Sequence, residues 1–285
     1  MKIAILSGKG GTGKTLLSVN LAALLQPSVY VDCDVEEPNG HLYFRPKQVK
    51  NKPVCVKIPA LNPALCNGCR TCVDFCNFNA LAYTAKSLLI FDDVCHSCGG
   101  CTLLCPQKAL YETDKEIGTV QSGTADNVQL YSGMLHIGQA TGIPIIEELL
   151  SAVAATDKPV IIDCPPGSAC IVMESIKDAD FCLLVTEPTL FGAHNLQMVH
   201  ELVTLFNKPF GVIINKSVEG ANPAETFCIE NNLPVLGKIP YDSQLSTLHS
   251  NGDIAVHHSE TYRALFSSLL RTITKEASDE TTSHS

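Results

Sequence analysis

Two groups of residues in this chain have types and spacings that imply chemistry. The first is Gly8-Lys9-Gly10-Gly11-Thr12-Gly13-Lys14-Thr15, which fits G-x-x-x-x-G-K-[ST]. Glycines let successive backbone N–H groups turn toward phosphate oxygens, and a helix starting at the loop's end adds its positive N-terminus. In such a loop Lys14 is expected to neutralise the β- and γ-phosphates of ATP, and the Thr15 hydroxyl to bind Mg²⁺. The plain alternative is a tight turn with no ligand. Against it, the loop lies between a short apolar run, Ile3 to Leu6, and a stretch from Thr15 to Leu25 with leucines at helical spacing.

The second group is made of cysteines. Cys66-x2-Cys69-x2-Cys72-x3-Cys76 is followed by Cys95-x2-Cys98-x2-Cys101-x3-Cys105-Pro106, the iron–sulfur run of two-cluster proteins, present twice. Three thiolates of one run cap three corners of a cube while the fourth reaches the other cluster. Cys66, Cys69, Cys72 and Cys105 are therefore expected to hold one [4Fe-4S] cluster, and Cys95, Cys98, Cys101 and Cys76 the other. Asn77 stands where proline is usual, which leaves the ligands intact. Gly68, Gly99, Gly100 and Ala109 suit close backbone approach and N–H···S bonding. Tetrathiolate zinc is the competing reading, but it calls for separated C-x2-C pairs, not a third cysteine two residues later.

The remaining sequence must position these groups. Its 285 residues, 45% hydrophobic and 17% charged, suit a globular protein with a buried core. No apolar run approaches the ~20 residues that span a bilayer, and residues 1–7 read as a buried first strand, not a leader. A net charge of −9 argues against nucleic acid as a partner. Fourteen cysteines without a secretory signal point to metal binding in a reducing compartment, so the expected location is cytoplasmic.

The strand, loop and helix at the start lead to a second strand, Val29 to Val31, ending at Asp32 and Asp34. From about Pro59 to Glu116 the periodicity fades, and residues 58–116 read as an inserted domain between two parts of an ATPase domain, 1–57 and 117–276. The flanks, Lys47 to Lys57 and Asp114 to Gly123, read as linkers or short ribbons. Strands are expected again at Val128 to His136, Pro159 to Asp163, Phe181 to Val185, Phe210 to Ile214 and Val235 to Ile239, with helix-length segments between them, including Ile145 to Ala155. The fold class is thus α/β: a mostly parallel P-loop NTPase sheet with helices on both faces, plus an inserted α+β ferredoxin domain. A last helix, Ser259 to Lys275, has an apolar face expected to close on the sheet and not to anchor on a membrane. Residues 277–285 read as a disordered tail.

The stretch Lys9 to Thr15 resembles the deviant phosphate loop of the MinD/Mrp/ParA family, which includes the nitrogenase iron protein. That resemblance implies a nucleotide-sandwich homodimer, or a heterodimer with a paralogue, in which Lys9 reaches across to the partner's ATP. Val31-Asp32-Cys33-Asp34-Val35 resembles the first switch, which implies that Asp34 orients the attacking water and that Asp32 lies close to the metal. Asp163, before Cys164-Pro165-Pro166-Gly167, resembles the second switch, holding Mg²⁺ through water. Asn215, with Lys216, resembles the adenine-reading asparagine, and Ile239-Pro240-Tyr241-Asp242 the loop beside the base. The insert resembles a two-cluster ferredoxin. The whole chain is similar to MinD-superfamily ATPases carrying such an insert.

Of the other cysteines, Cys33, Cys55, Cys164, Cys182 and Cys228 read as small buried hydrophobes. Cys170 lies seven residues after Asp163, an offset resembling that of the cysteine bridging two subunits through a shared cluster in the nitrogenase iron protein. A third cluster there would need Cys164 or another group as well. The parts together suggest ATP-dependent carriage or maturation of an iron–sulfur or mixed-metal cluster. The alternative is an ATP-gated low-potential electron donor to a partner redox protein, and a MinD/ParA-like positioning ATPase ranks third. The expected partner is a redox or cluster-acceptor protein.

Overall fold

The computed structural model describes residues 1–85 and 87–283. In chain order its elements are β1 (Lys2–Leu6), α1 (Lys14–Leu24), β2 (Ser28–Asp32), α2 (Gly40–Phe44), β3 (Lys47–Leu61), α3 (Thr71–Phe75), β4 (Leu81–Tyr83), β5 (Leu88–Ile90), α4 (Gly100–Leu103), β6 (Leu110–Ala125), β7 (Val128–Leu135), α5 (Ile143–Ala152), β8 (Val160–Asp163), α6 (Cys170–Ile176), β9 (Phe181–Thr186), α7 (Leu190–Leu205), β10 (Phe210–Ser217), α8 (Pro223–Glu230), β11 (Val235–Pro240), α9 (Ser243–Ser250) and α10 (Glu260–Ser283).

Among the described residues, nine strands form one sheet in the order β11-β10-β9-β1-β8-β2-β7-β6-β3. β11 through β7 are parallel, and β6 and β3 add an antiparallel edge. Strand periodicity explains the two layers that cover it. Ala4, Leu6, Val31 and Ile162 point to a core shared with α5, α6 and α7. Ile3, Ile5, Tyr30 and Ile161 point to a second core shared with α1 and α10. Strands buried on both faces read as continuous apolar runs for this reason.

The flanks of the insert are one continuous ribbon, not linkers. β3 and β6 pair from Lys47↔Thr124 to Leu61↔Leu110, across the expected boundaries at 58 and 116. β7 pairs with β6 only from Gly118 onward, so the half of the ribbon between Cys55 and Glu116 leaves the sheet and carries residues 62–109. Gly118 marks the departure: a Cβ there would lie 2.2 Å from the Met134 carbonyl oxygen and 2.5 Å from Ile145 Cδ1. Of the two readings of the flanks the ribbon holds, and its full length was obscured because its solvent-facing residues break the apolar alternation.

The C-terminal segment also differs from expectation. α10 continues through Ser283, because Ala277, buried at 2% exposure, extends the stripe of Tyr262, Phe266, Leu269 and Ile273 by one more turn. Residues 284–285 of the expected tail lie outside the described residues. None of the described helices is long and apolar enough to cross a membrane.

Candidate functional site: a phosphate loop and two thiol-lined cavities

β1 ends at Leu6 and α1 begins at Lys14, so residues 7–13 form a loop at the carboxyl edge of the sheet, where helix α1 presents its N-terminus. Gly13 is the N-cap, with φ of 98°. Asn215, at the end of β10, donates from Nδ2 to the Thr12 carbonyl at 2.7 Å. The side chain thus braces the loop from below. Lys14 donates from Nζ to Ser7 Oγ at 3.0 Å, and Ser7 Oγ donates to the Lys9 carbonyl at 2.6 Å. Lys14 is almost fully buried, and Thr12 Oγ1 is a buried hydroxyl with no protein partner. A charged ammonium and an unpartnered hydroxyl in one loop fit an anionic ligand.

A cleft of about 500 Å³ opens over the loop, within the usual range for a small-molecule site. It brings together Gly10, Gly11, Gly13, Lys14, Thr15, Asp34, Asn215 and Pro240. Gly8 and Thr12 lie behind this wall, as do Asp32 and Asp163. A Cβ on Gly8 would lie 2.4 Å from the Asn195 carbonyl oxygen, so the loop packs directly on α7. Lys9 is turned outward into an ion pair with Glu187. Lys216 lines the cleft with a left-handed φ of 54°, a strained backbone at the site.

Two acids meet across the sheet. Asp32 of β2 and Asp163 of β8 are register partners, both buried. Asp163 Oδ2 accepts from the Tyr30 hydroxyl at 2.9 Å, while Oδ1 is buried without a partner. Asp32 Oδ1 accepts from Asp34 N at 3.2 Å, and Oδ2 from Asn39 N at 2.9 Å and Gly40 N at 2.8 Å. Its carboxylate therefore holds the segment from Asp34 to the start of α2. Burial pushes the Asp32 pKa up to about 8, with Asp163 adding like-charge repulsion. Asp163 is raised by burial too, opposed chiefly by the charge of Lys14. Two stacked buried carboxylates are disfavoured without a cation, and Asp163 with Thr15 fits a Mg²⁺ site. Burial also raises Asp34 to about 6, against the pull of Lys14.

On the insert, α3 and α4 pack together beside the β4–β5 hairpin. The eight cysteines divide between two cavities. One is lined by Cys66, Cys69, Cys72 and Cys105, the other by Cys76, Cys95, Cys98 and Cys101. Each set takes three thiols from one run and the last cysteine of the other. Backbone N–H groups approach the sulfurs: Ala80 to Cys76 at 3.4 Å, Ser97 to Cys95 at 3.4 Å and Ala109 to Cys105 at 3.2 Å. Among the described residues, no three His, Cys, Asp or Glu side chains converge as they would on a single metal ion. Among the described residues, the insert's own core cluster is small, built on Leu81, Leu88, Cys101 and Leu110. All fourteen cysteines are free thiols. A segment of this size with so small a core calls for a metal or a crosslink, and two cavities with four thiols each fit iron–sulfur clusters.

Cys170 is exposed at the start of α6, whereas Cys164 is fully buried in the core. The two do not share a surface, so Cys164 is not placed to join Cys170 in a bridging site. Sequence reasoning missed four residues at this site. Tyr30 read as core because its hydroxyl has no signature in an apolar strand. Glu187 was signalled only by its position just past the end of β9. Tyr43 and His249, which both line the cleft, hydrogen bond at 3.0 Å, a pairing across the chain that no local pattern reveals.

A parallel sheet with a phosphate loop at its carboxyl edge and paired acids behind it defines a P-loop nucleotide-binding protein. The chain belongs to the CobQ/CobB/MinD/ParA nucleotide binding domain family, whose sequence profile matches residues 3–256. It is 32% identical to the uncharacterized protein MJ0578 of Methanocaldococcus jannaschii over 88% of each chain. A ferredoxin of Streptomyces griseus is 25% identical over 35% of this chain and 88% of its own length. In fold it is similar to the cell division ATPase MinD of Pyrococcus furiosus, with a TM-score of 0.60, 20% identity, and 96% of this chain and 98% of that one covered.

Proposed function

We propose that this protein is a Mg²⁺-dependent ATPase whose hydrolysis cycle governs two resident [4Fe-4S] clusters, and that it works as an ATP-gated electron donor. The observation that supports resident clusters is the division of the eight thiols into two sets of four around separate cavities. A cargo cluster needs an open corner from which it can leave, and neither set leaves one of the eight cysteines spare. The clusters would supply one-electron chemistry at low potential.

The chain's own residues would do the rest. Lys14 and the loop amides bind the triphosphate, Thr15 and Asp163 hold the metal, and Asp34 orients the attacking water. Asp32 ties the backbone at Asn39 and Gly40 to the metal site, and α2 runs within three residues into β3, the first strand of the cysteine-bearing ribbon. A change at the acids is thereby transmitted to the ribbon's root. The functional unit would be a dimer, of two copies or with a paralogue, in which Lys9 meets the partner's phosphates.

ATP-dependent cluster carriage is the second reading, and one experiment separates the two. The cluster-loaded, dithionite-reduced protein is given Mg-ATP with either an oxidised viologen dye or an apo-ferredoxin. Electron donation predicts ATP-stimulated dye reduction with iron retained. Carriage predicts iron transfer to the apo-ferredoxin, and that result would overturn the first reading.

A further inference from the structure

Glu187 follows the last residue of β9, and its carboxylate lies between two lysines on either side of the phosphate loop. Oε2 pairs with the Lys9 ammonium. Oε1 accepts from Lys216 Nζ at 2.7 Å, and that ammonium also donates to the Gly11 carbonyl at 3.0 Å. The Lys9 ammonium stands 5.8 Å from the ring centroid of Phe191, in the first turn of α7. The Glu187 side chain is 13% exposed and that of Lys9 31%. Burial raises the Glu187 carboxyl, but the hydrogen bonds and charges of Lys216 and Lys9 outweigh it and hold the group below its usual range. Glu187 is therefore charged, and in this state it keeps Lys9 out of the cleft.

We propose that Glu187 is a positioning residue that retains Lys9 on its own chain until a second, nucleotide-loaded copy competes for it, and so sets how readily the ATP-bound dimer forms. The inference rests on the reading of Lys9 as the group that crosses to the partner's phosphates. The chemistry favours an exchange. A triphosphate carries several negative charges and outcompetes a single carboxylate shared between two ammoniums. When Lys9 leaves, Lys216 still compensates Glu187, so no buried charge is orphaned and the barrier to release stays low. Without nucleotide in the partner there is nothing to compete, and Lys9 stays paired. Glu187 thus discourages association of empty copies without blocking that of loaded ones.

Sedimentation velocity of the full, cluster-loaded chain with Mg²⁺ and a non-hydrolysable ATP analogue tests this. Four proteins are compared: wild type, Glu187→Gln, Lys9→Ala and the double variant. Releasing a partly exposed pair on each of two symmetric copies is expected to let Glu187→Gln dimerise at about tenfold lower concentration than wild type. Glu187→Asp, which keeps the charge, should restore most of the wild-type behaviour. In the Lys9→Ala background the Glu187→Gln change should have no effect. Unchanged or weakened dimerisation of a folded Glu187→Gln, with wild type dimerising normally, would overturn the proposal. ADP affinity and the thermal midpoint report whether that variant is folded; if it is not, a Glu187→Asp chain that dimerises less readily than wild type overturns the proposal instead. Absence of a nucleotide-dependent dimer in wild type itself would instead remove the dimer reading and this inference with it.

Discussion

The Asn215 side chain donates to the Thr12 carbonyl at 2.7 Å, and the same Nδ2 would lie only 2.1 Å from a Cβ on Gly13. One amide thus fixes the phosphate loop and forbids any side chain at its last glycine. One N–H of Nδ2 is taken by the loop, which leaves the second N–H and Oδ1 as the groups with which Asn215 would meet an adenine in its proposed role. Under that proposal, bracing and base reading would be joined in one residue.

Asn215→Ala is expected to weaken ATP and ADP binding equally, by about tenfold or more, because it acts on the loop and the base and not on the γ-phosphate. It should also lower stability by about 1–3 kcal/mol through the lost buried hydrogen bond. Titration with fluorescent ATP and ADP analogues, together with urea unfolding, checks both. A variant that keeps its ADP affinity would remove Asn215 from the loop's support.

Asp34 lines the cleft and has its pKa raised to about 6, chiefly by burial. In its proposed role of orienting water it must be ionised. Hydrolysis by wild type should therefore fall about tenfold per unit as the pH drops below about 6 and be level above it. Asp34→Asn should lose at least about 10²-fold in kcat with nucleotide affinity retained. Steady-state rates across pH 5 to 8 test the first statement, and equilibrium binding the second.

The Asp32–Asp163 pair makes the Mg²⁺-free protein sensitive to alkali. Asp32 has its folded pKa raised to about 8 by burial and by Asp163, so the folded state holds a proton that the unfolded chain releases near pH 4. The resulting stability is fully present below the unfolded value and is lost as pH rises through about 8. Melting temperatures in a chelator should accordingly decline across that window, and added Mg²⁺ should reverse the decline at the alkaline end. Asp32→Asn should flatten the profile. A wild-type profile that rises between pH 5 and 8 would contradict the assignment.

Much of this was legible because local chemistry and local pattern coincide. The loop from Gly8 to Thr15 sits where strand and helix periodicity require it, and the alternation Ile3, Ala4, Ile5, Leu6 already names both layers of the core. What stayed hidden depends on pairing across the chain. The β3–β6 ribbon is half solvent-facing, so Lys50, Lys52 and Lys57 mask the strand character of β3, and its partner strand lies far along the chain, in the register Lys57↔Asp114. The pairing of Lys9 with Glu187 was not legible, since an acid after a strand end has many possible roles. Ala277 is too small to signal that a helix continues.

The assignment of thiols to cavities follows the crossed sharing expected from the two cysteine runs, and it makes a testable prediction. Cys105 ends the second run but lines the cavity of Cys66, Cys69 and Cys72. Cys105→Ser should therefore cost the cluster of the first run and leave about half the iron. Combining it with Cys69→Ser should remove no further iron, because both changes fall on one cluster. Combining it with Cys98→Ser should remove nearly all, because Cys98 lines the other cavity. Iron analysis of the purified variants, with electron paramagnetic resonance of the reduced forms, distinguishes the cases. If each run instead held its own cluster, the two double variants would exchange behaviours: Cys105→Ser with Cys98→Ser would retain half the iron, and Cys105→Ser with Cys69→Ser would lose it.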